Sequence, residues 1–341
     1  MRTLFITACL VLTSAAAQQP LPAKAFLIDD YRHVAFADLK ALRERGIWAD
    51  LEVSVLKIVF KRIEKESGFP LTALDRVTMV ADLGEQQEGR EVVLRNIREV
   101  LVLEGNGALG MPASVEHGSW QQATVGKHTV RRRDTMRPET FAQPCPEMQV
   151  SGATDVIEAA LVGKPHAGLP CADVMSLLSG RGDNLAYLAF DVGNPLLREM
   201  ALGALFPDTE WPEGEAPTFL FARVRVIGEA DDLHLEVEAV LRHLKEGPGL
   251  EVSSAAVDGW IERMKKDPTM IAMRPLLQRV EKKVDRTDVV LRADMGRTRE
   301  AVGHVASVVM PILVPRAGQV DEAATEVVPA PEKVEPKKKA P

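Results

Sequence analysis

The stretch FLFARVRVIGEADDLHLEVEAVL, residues 219–241, decides how the rest of the chain is read. It divides into two runs, Phe219 to Ile227 and Leu233 to Leu241, joined by a turn over residues 228–232. Leu233, Leu235, Val237, Ala239 and Leu241 alternate with His234, Glu236, Glu238 and Arg242. A period of two puts the apolar set inward and the charged set outward on one strand. Arg223 and Arg225 have outward parity on the partner strand and are placed to pair with Glu236 and Glu238 across the ladder. The segment therefore reads as an antiparallel hairpin with one face on a core.

Working outward, Leu185 to Phe190 reads as a strand, and Asn194 caps a helix that begins with Pro195 at its first position. Downstream, Ser254 caps a helix to Lys266. A helix from Met273 to Lys283 then leads into a strand, Val289 to Ala293, and a final helix runs from Thr298 to Met310. In the first half, a strand from His33 to Ala37 ends at Asp38, the N-cap of a short helix that stops at Gly46. A longer amphipathic helix, Ala49 to Glu66, carries Leu51, Val55, Leu56, Val59, Phe60 and Ile63 at helical spacing. Asp75 to Leu83 reads as a strand. Residues 91–104 have no clear period, with a strand at Val100 to Leu103. Gly126-Lys127 marks a hairpin turn within Thr124 to Arg131, and Met148 to Val150 is a further strand. Asp155 with Glu158 forms a capping box that opens a helix to Val162, and another helix lies near Ala172 to Leu178.

A unit recurs along this order. A strand runs into Asp38, Asp191 or Asp294, and a helix carrying Arg43-Glu44, Arg198-Glu199 or Arg299-Glu300 follows. Strand feeding capped helix is a minimal two-layer element. Its recurrence predicts an α+β fold of two related modules, residues 18–165 and 166–314, each of mostly antiparallel strands backed by helices. Residues 315–341 are Ala, Pro, Glu, Val and Lys without period, the composition of a disordered tail.

The N-terminus fixes a compartment. Arg2, the apolar run Leu4 to Leu12 and the small residues Ala15-Ala16-Ala17 read as a cleavable secretory signal over residues 1–17. The mature protein is expected outside the cytoplasm, periplasmic or secreted. No later run reaches the ~20 apolar residues needed to span a bilayer. The net charge of -7 and the two tyrosines, Tyr31 and Tyr187, weigh against nucleic-acid binding, which needs basic or aromatic-lined surfaces. Removing Cys9 with the signal leaves Cys145 and Cys171. In an oxidising compartment an even pair reads either as a disulfide worth about 3–4 kcal/mol or as two separate buried thiols.

The motifs point away from catalysis. Gly105-Asn106-Gly107-Ala108-Leu109-Gly110 has dinucleotide-binding spacing, but Pro112 follows where a helix N-terminus is needed. Ser54-Val55-Leu56-Lys57 has the spacing of penicillin-recognising enzymes but lacks the two partner motifs. The histidines are scattered, without H-E-x-x-H, and no G-x-S-x-G occurs. Arg181-Gly182-Asp183 lies in a run of turn residues. No cofactor is implied. The basic cluster in the body is Arg131, Arg132 and Arg133 with Lys127 near it, a candidate anion site or a solvated hairpin flank. A catalytic site assembled from distant segments stays open, because its order along the chain is free.

The strand-Asp-helix opening at Val34 to Leu42, and the segment Phe141 to Leu161 with Met148-Gln149-Val150 leading through Ser151-Gly152 to Asp155, resemble a loose group of uncharacterised secreted bacterial proteins. That resemblance implies tandem α+β modules in the extracytoplasmic space and transfers no site residue. The expectation is a non-catalytic binding or scaffold protein with an envelope or extracellular partner. A carrier of a lipid or other apolar ligand, and a hydrolase with a spatially assembled site, are the alternatives.

Overall fold

Period-two alternation of Val, Leu and Phe with small or polar residues marks segments such as 219–227 and 233–241, and the backbone follows it into strands. The computed structural model describes residues 23–26, 33–53, 57, 60–61, 64–65, 68–88, 91–116, 118–134, 138–164, 184–203, 205–228, 232–268, 271 and 274–303. Strand β1 (His33–Asp38) leads into helices α1 (Leu39–Glu44) and α2 (Ile47–Val53). A long hairpin follows, β2 (Leu74–Glu88) and β3 (Glu91–Gly105), then the single turn α3 (Ala113–Glu116). Strands β4 (Gln121–Val125), β5 (His128–Arg133), β6 (Glu139–Cys145) and β7 (Met148–Ala153) form a meander that enters α4 (Thr154–Leu161). The second half contains β8 (Asn184–Asp191), α5 (Pro195–Arg198), β9 (Phe219–Ile227) and β10 (His234–Arg242). It continues with α6 (Pro248–Lys266), α7 (Arg274–Gln278), β11 (Val280–Asp285), β12 (Asp288–Arg297) and α8 over residues 298–303.

The twelve strands among the described residues lie in one sheet, ordered β11-β12-β10-β9-β8-β1-β2-β3-β7-β6-β5-β4. Each pairing is antiparallel and helices pack on the sheet, so the architecture is α+β. The two halves share one plan. From β1 the order outward is β1-β2-β3-β7-β6, and from β8 it is β8-β9-β10-β12-β11, with the β4–β5 hairpin added at the far edge. They meet where β1 pairs with β8, with Ala35 opposite Leu188 at the middle of the register. The flanking pairs His33–Phe190 and Ala37–Ala186 exchange places about that centre. The repeated modules therefore merge into a continuous sheet. The third copy of the strand-Asp-helix unit falls on β12, whose place corresponds to β7 rather than β1.

Two rows of side chains cross the whole sheet, one on each face. On the first face the row runs Glu281, Arg292, Glu238, Arg223, Tyr187, Phe36, Thr78, Val102, Val150, Ala142, Val130, Ala123. Helix α4 covers the Val102 end with Val156, Ile157, Ala160 and Leu161, joined by Phe26. On the second face, α1 and α2 pack Leu42, Trp48 and Leu51 toward Val77 and Leu103. Further along that face, α6 packs Leu250, Val257 and Ile261 on Leu241 and Val289, against Phe190, Leu220 and Leu291.

Several expectations change. Strand β3 spans fifteen residues, far beyond Val100 to Leu103, because β2 pairs with it along almost its full length. The expected helix at Met273 to Lys283 is only α7. Val280 onward is strand β11, folded back on β12 by a turn at Arg286, whose φ is 54°. Asp155 and Glu158 form no capping box, since Ala153 is the N-cap and Glu158 turns to Arg132 instead. Helix α6 starts at Pro248 rather than after Ser254. Gly249 N–H there donates to Glu215 Oε2 from a distant loop at 2.9 Å. A Cβ on Gly249 would sit 2.0 Å from the Glu215 carbonyl, so that close approach requires glycine. Asp38 does cap α1, accepting from Ala41 N–H at 2.7 Å. Asp191 and Asp294 instead bond Gly193 and Gly296 N–H two residues on, each at 2.7 Å, and Asn194 is the cap of α5. The helix expected near Ala172 to Leu178, Ser54, Arg181-Gly182-Asp183 and the tail at 315–341 lie outside the described residues. So does most of the segment from 54 to 67.

Candidate functional site

The second-face row is Lys282, Leu291, Ala239, Ala222, Leu188, Ala35, Met79, Leu101, Ser151, Phe141, Arg131, Gln122. Its middle is apolar and open. Leu188 is 42% exposed and Met79 38%, and they flank Ala35 at the centre of the β1–β8 junction. Alanines at 222 and 239 continue a low floor toward Leu291. Helices α1 and α2 lie on one side of this strip and α6 on the other. From Ala239 to Leu101 the strip crosses about 24 Å at ~4.8 Å per strand. The centre of a large sheet normally receives a second layer, and here, among the described residues, Leu188 and Met79 stay exposed without one.

A second cluster is polar and closed. His243 and Ser253 are buried, at 4% and 0% exposure. The Glu215 carbonyl, 2.9 Å from His243 Nδ1, can only accept, so Nδ1 carries the proton. Nε2 then accepts from the Ser253 hydroxyl at 3.0 Å, and Ser253 Oγ accepts from Trp211 Nε1–H at 2.7 Å. Burial pushes the His243 pKa down from its ordinary value, keeping the ring neutral. This is a nucleophile-and-base spacing, held from a third segment by Trp211 and Glu215. A reacting carbonyl needs approach to the serine oxygen, yet that oxygen is fully buried and already bonded to the indole. The cluster ties the 211–215 loop to the first turns of α6. The Glu215 carboxyl is held below its usual range by Gly249 N–H and by the Lys245 ammonium at 3.2 Å.

The charged end of the first-face row is likewise self-contained. Arg223 pairs with Glu238 at 2.7 Å and Arg225 with Glu236 at 2.5 Å, as the alternation of residues 219–241 predicts. Arg292 reaches the same Glu238 at 2.6 Å. Glu238 is only 3% exposed, where the alternation placed it outward in solvent. Two guanidinium groups cover it, and that of Arg223 also lies over the Phe221 ring, 5.9 Å from its centre. Beside this group, His234 Nδ1 meets Asp294 at 3.0 Å, and the carboxylate holds its pKa above the ordinary value.

The basic cluster is divided by its pairing. Arg132 makes a two-pronged contact with Glu158 of α4, both arms at 2.5 Å. Arg133 pairs with Glu139 and lies over the Trp120 ring at 5.0 Å. Lys127, at the tip of the hairpin, and Arg131, on the second face, have no ion-pair partner among the described residues. Cys145 is a free, half-buried thiol whose pKa burial raises, and Cys171 lies outside the described residues. In the Gly105–Gly110 loop, Asn106 and Leu109 N–H donate to Ala73 and Pro146 carbonyls, leaving those groups unavailable to a phosphate. Among the described residues no three metal-ligating side chains converge, and no helix is long and apolar enough to cross a membrane.

The sequence reading missed both the strip and the His243 cluster. Alanines at 35, 222 and 239 carry no chemical signal, and Leu188 and Met79 come from strands of different modules. His243 and Ser253 are ten residues apart and meet only because Pro248 starts α6 between them. No protein-family model and no curated protein matches the chain. Three solved structures of TP0453 are similar to it. Crystal form III matches with a TM-score of 0.43 at 11% identity over 85% of this chain and 98% of that one. Form I gives 0.42 at 9% over 86% and 98%, and form IV gives 0.42 at 10% over 85% and 96%.

Proposed function

We propose that this chain is a non-catalytic binding protein of the extracytoplasmic space, and that it binds on the open strip at Leu188, Ala35 and Met79. The N-terminal secretory pattern supports the compartment. The exposed apolar middle of the sheet supports the binding surface, and it is the observation on which the reading rests. Covering what remains open of Leu188 and Met79 contributes about 1–2 kcal/mol each. Alanine, leucine and methionine offer no hydrogen bonds, which favours an apolar ligand, such as a lipid chain, over a polar one. Methionine adapts its shape to what it covers. The hydrolase alternative loses support because the His243–Ser253 pair is sealed.

Native mass spectrometry of gently purified protein tests the reading. A co-purifying apolar species, absent from Leu188→Glu protein, is the expected result. Turnover of ester, phosphate or glycan substrates that Ser253→Ala abolishes, with folding intact, contradicts it.

A further inference from the structure

The two edges of the sheet are treated differently. Strand β11 carries Glu281, Lys282, Lys283 and Asp285 in six residues. Lys282 is drawn under α6 by bonds to Ser254 and to Asp258. Charges of this kind on an edge discourage pairing with another chain. Strand β4, at the opposite edge, reads Gln121-Gln122-Ala123-Thr124-Val125, with no charge and no proline. Among the described residues it pairs with β5 alone, so its outer backbone donors and acceptors face away from the sheet.

We propose that β4 is a docking edge for an extended polypeptide segment of a partner protein, one that alternates apolar and acidic side chains. The alternation follows from the two faces. On the first face an added strand lies beside Ala123 and Val125, at the rim of the core, with exposed Val162 close to Gly126. Apolar side chains fit there. On the second face it lies beside Gln122, with Arg131 directly behind on β5, and Lys127 stands at the hairpin tip. These are the two members of the basic cluster that internal carboxylates do not neutralise, so acidic side chains fit there. The same cations disfavour a second copy of this chain as the occupant. Antiparallel β4–β4 pairing would bring both Arg131 side chains to one face.

The probe is a fluorescent peptide, Thr-Val-Glu-Val-Glu-Val-Thr, titrated into the full chain by anisotropy beside the same peptide with Lys for Glu. The acidic peptide is expected to bind at least about fivefold more tightly. Arg131→Glu is expected to reverse that order, a readout that loss of folding cannot produce. Circular dichroism of Arg131→Glu confirms that the fold is kept. Equal or undetectable binding of both peptides, or an order unchanged by Arg131→Glu, overturns the proposal. Concentration-dependent dimers that Thr124→Lys dissolves overturn it as well, by assigning the edge to self-pairing.

Discussion

The two halves of the sheet place the same strands in the same order and fill them with opposite chemistry. In the first half, Thr78, Val102 and Val150 stand on β2, β3 and β7, and Val102 and Val150 share a core with the apolar side of α4. In the second half the corresponding strands β9, β10 and β12 present Arg223, Glu238 and Arg292. Between them Phe36 stacks on Tyr187 with ring centres 4.8 Å apart, where the row changes from apolar to ionic. A repeated backbone plan thus fixes where side chains meet without fixing how each meeting is stabilised. One half uses a helix as cover, and the other uses guanidinium groups lying over a carboxylate.

The largest expected effect comes from the apolar half. Ile157 of α4 is fully buried. Ile157→Ala should lower stability by about 3–4 kcal/mol in urea unfolding, through lost transfer energy and a residual cavity. In the ionic half, Arg223→Ala should cost about 2 kcal/mol, because Arg292 still holds Glu238. Replacing all three at once, as Arg223→Met, Glu238→Leu and Arg292→Met, should leave stability unchanged or raise it by about 1–3 kcal/mol. A large loss in that triple variant would show that the ionic cover is not interchangeable with an apolar one.

A smaller effect separates two histidines by sign. His243 is kept neutral by burial, so the unfolded chain takes up a proton before the folded one does. Its contribution is present above the ordinary value of 6.5 and is lost as pH falls below it. His234 is stabilised as the cation by Asp294, so its contribution is present below 6.5 and is lost as pH rises through its raised value. His243→Gln should flatten the acid-side loss, and His234→Gln should flatten the alkaline-side loss. Midpoints followed across pH 5–8 check both, and added salt should diminish only the exposed His234 effect.

The fold was legible where local pattern and tertiary context agree. The hairpin of residues 219–241, the Gly126 turn with its φ of 58° and the Asp38 cap were all visible in the sequence. Pattern failed where distant partners decide. Glu158 left the helix end for Arg132, Glu215 replaced Ser254 at the start of α6, and Glu238 was enclosed by an arginine from β12. For the same reason the sequence offered the basic hairpin as a candidate anion site or a solvated flank, but not which of its cations stay unpaired. The apolar strip was invisible to it, because openness depends on where the helices do not pack.

The most direct test of the account is a titration of one fluorescent fatty-acid probe into two variants, Leu188→Glu and Ser253→Ala, with folding checked by circular dichroism. The strip should do the binding and the buried cluster only the holding. Leu188→Glu should therefore lose at least about tenfold in affinity while remaining folded, and Ser253→Ala should bind normally while unfolding about 2–3 kcal/mol earlier. Unchanged affinity in Leu188→Glu, or binding lost in a folded Ser253→Ala protein, would contradict it.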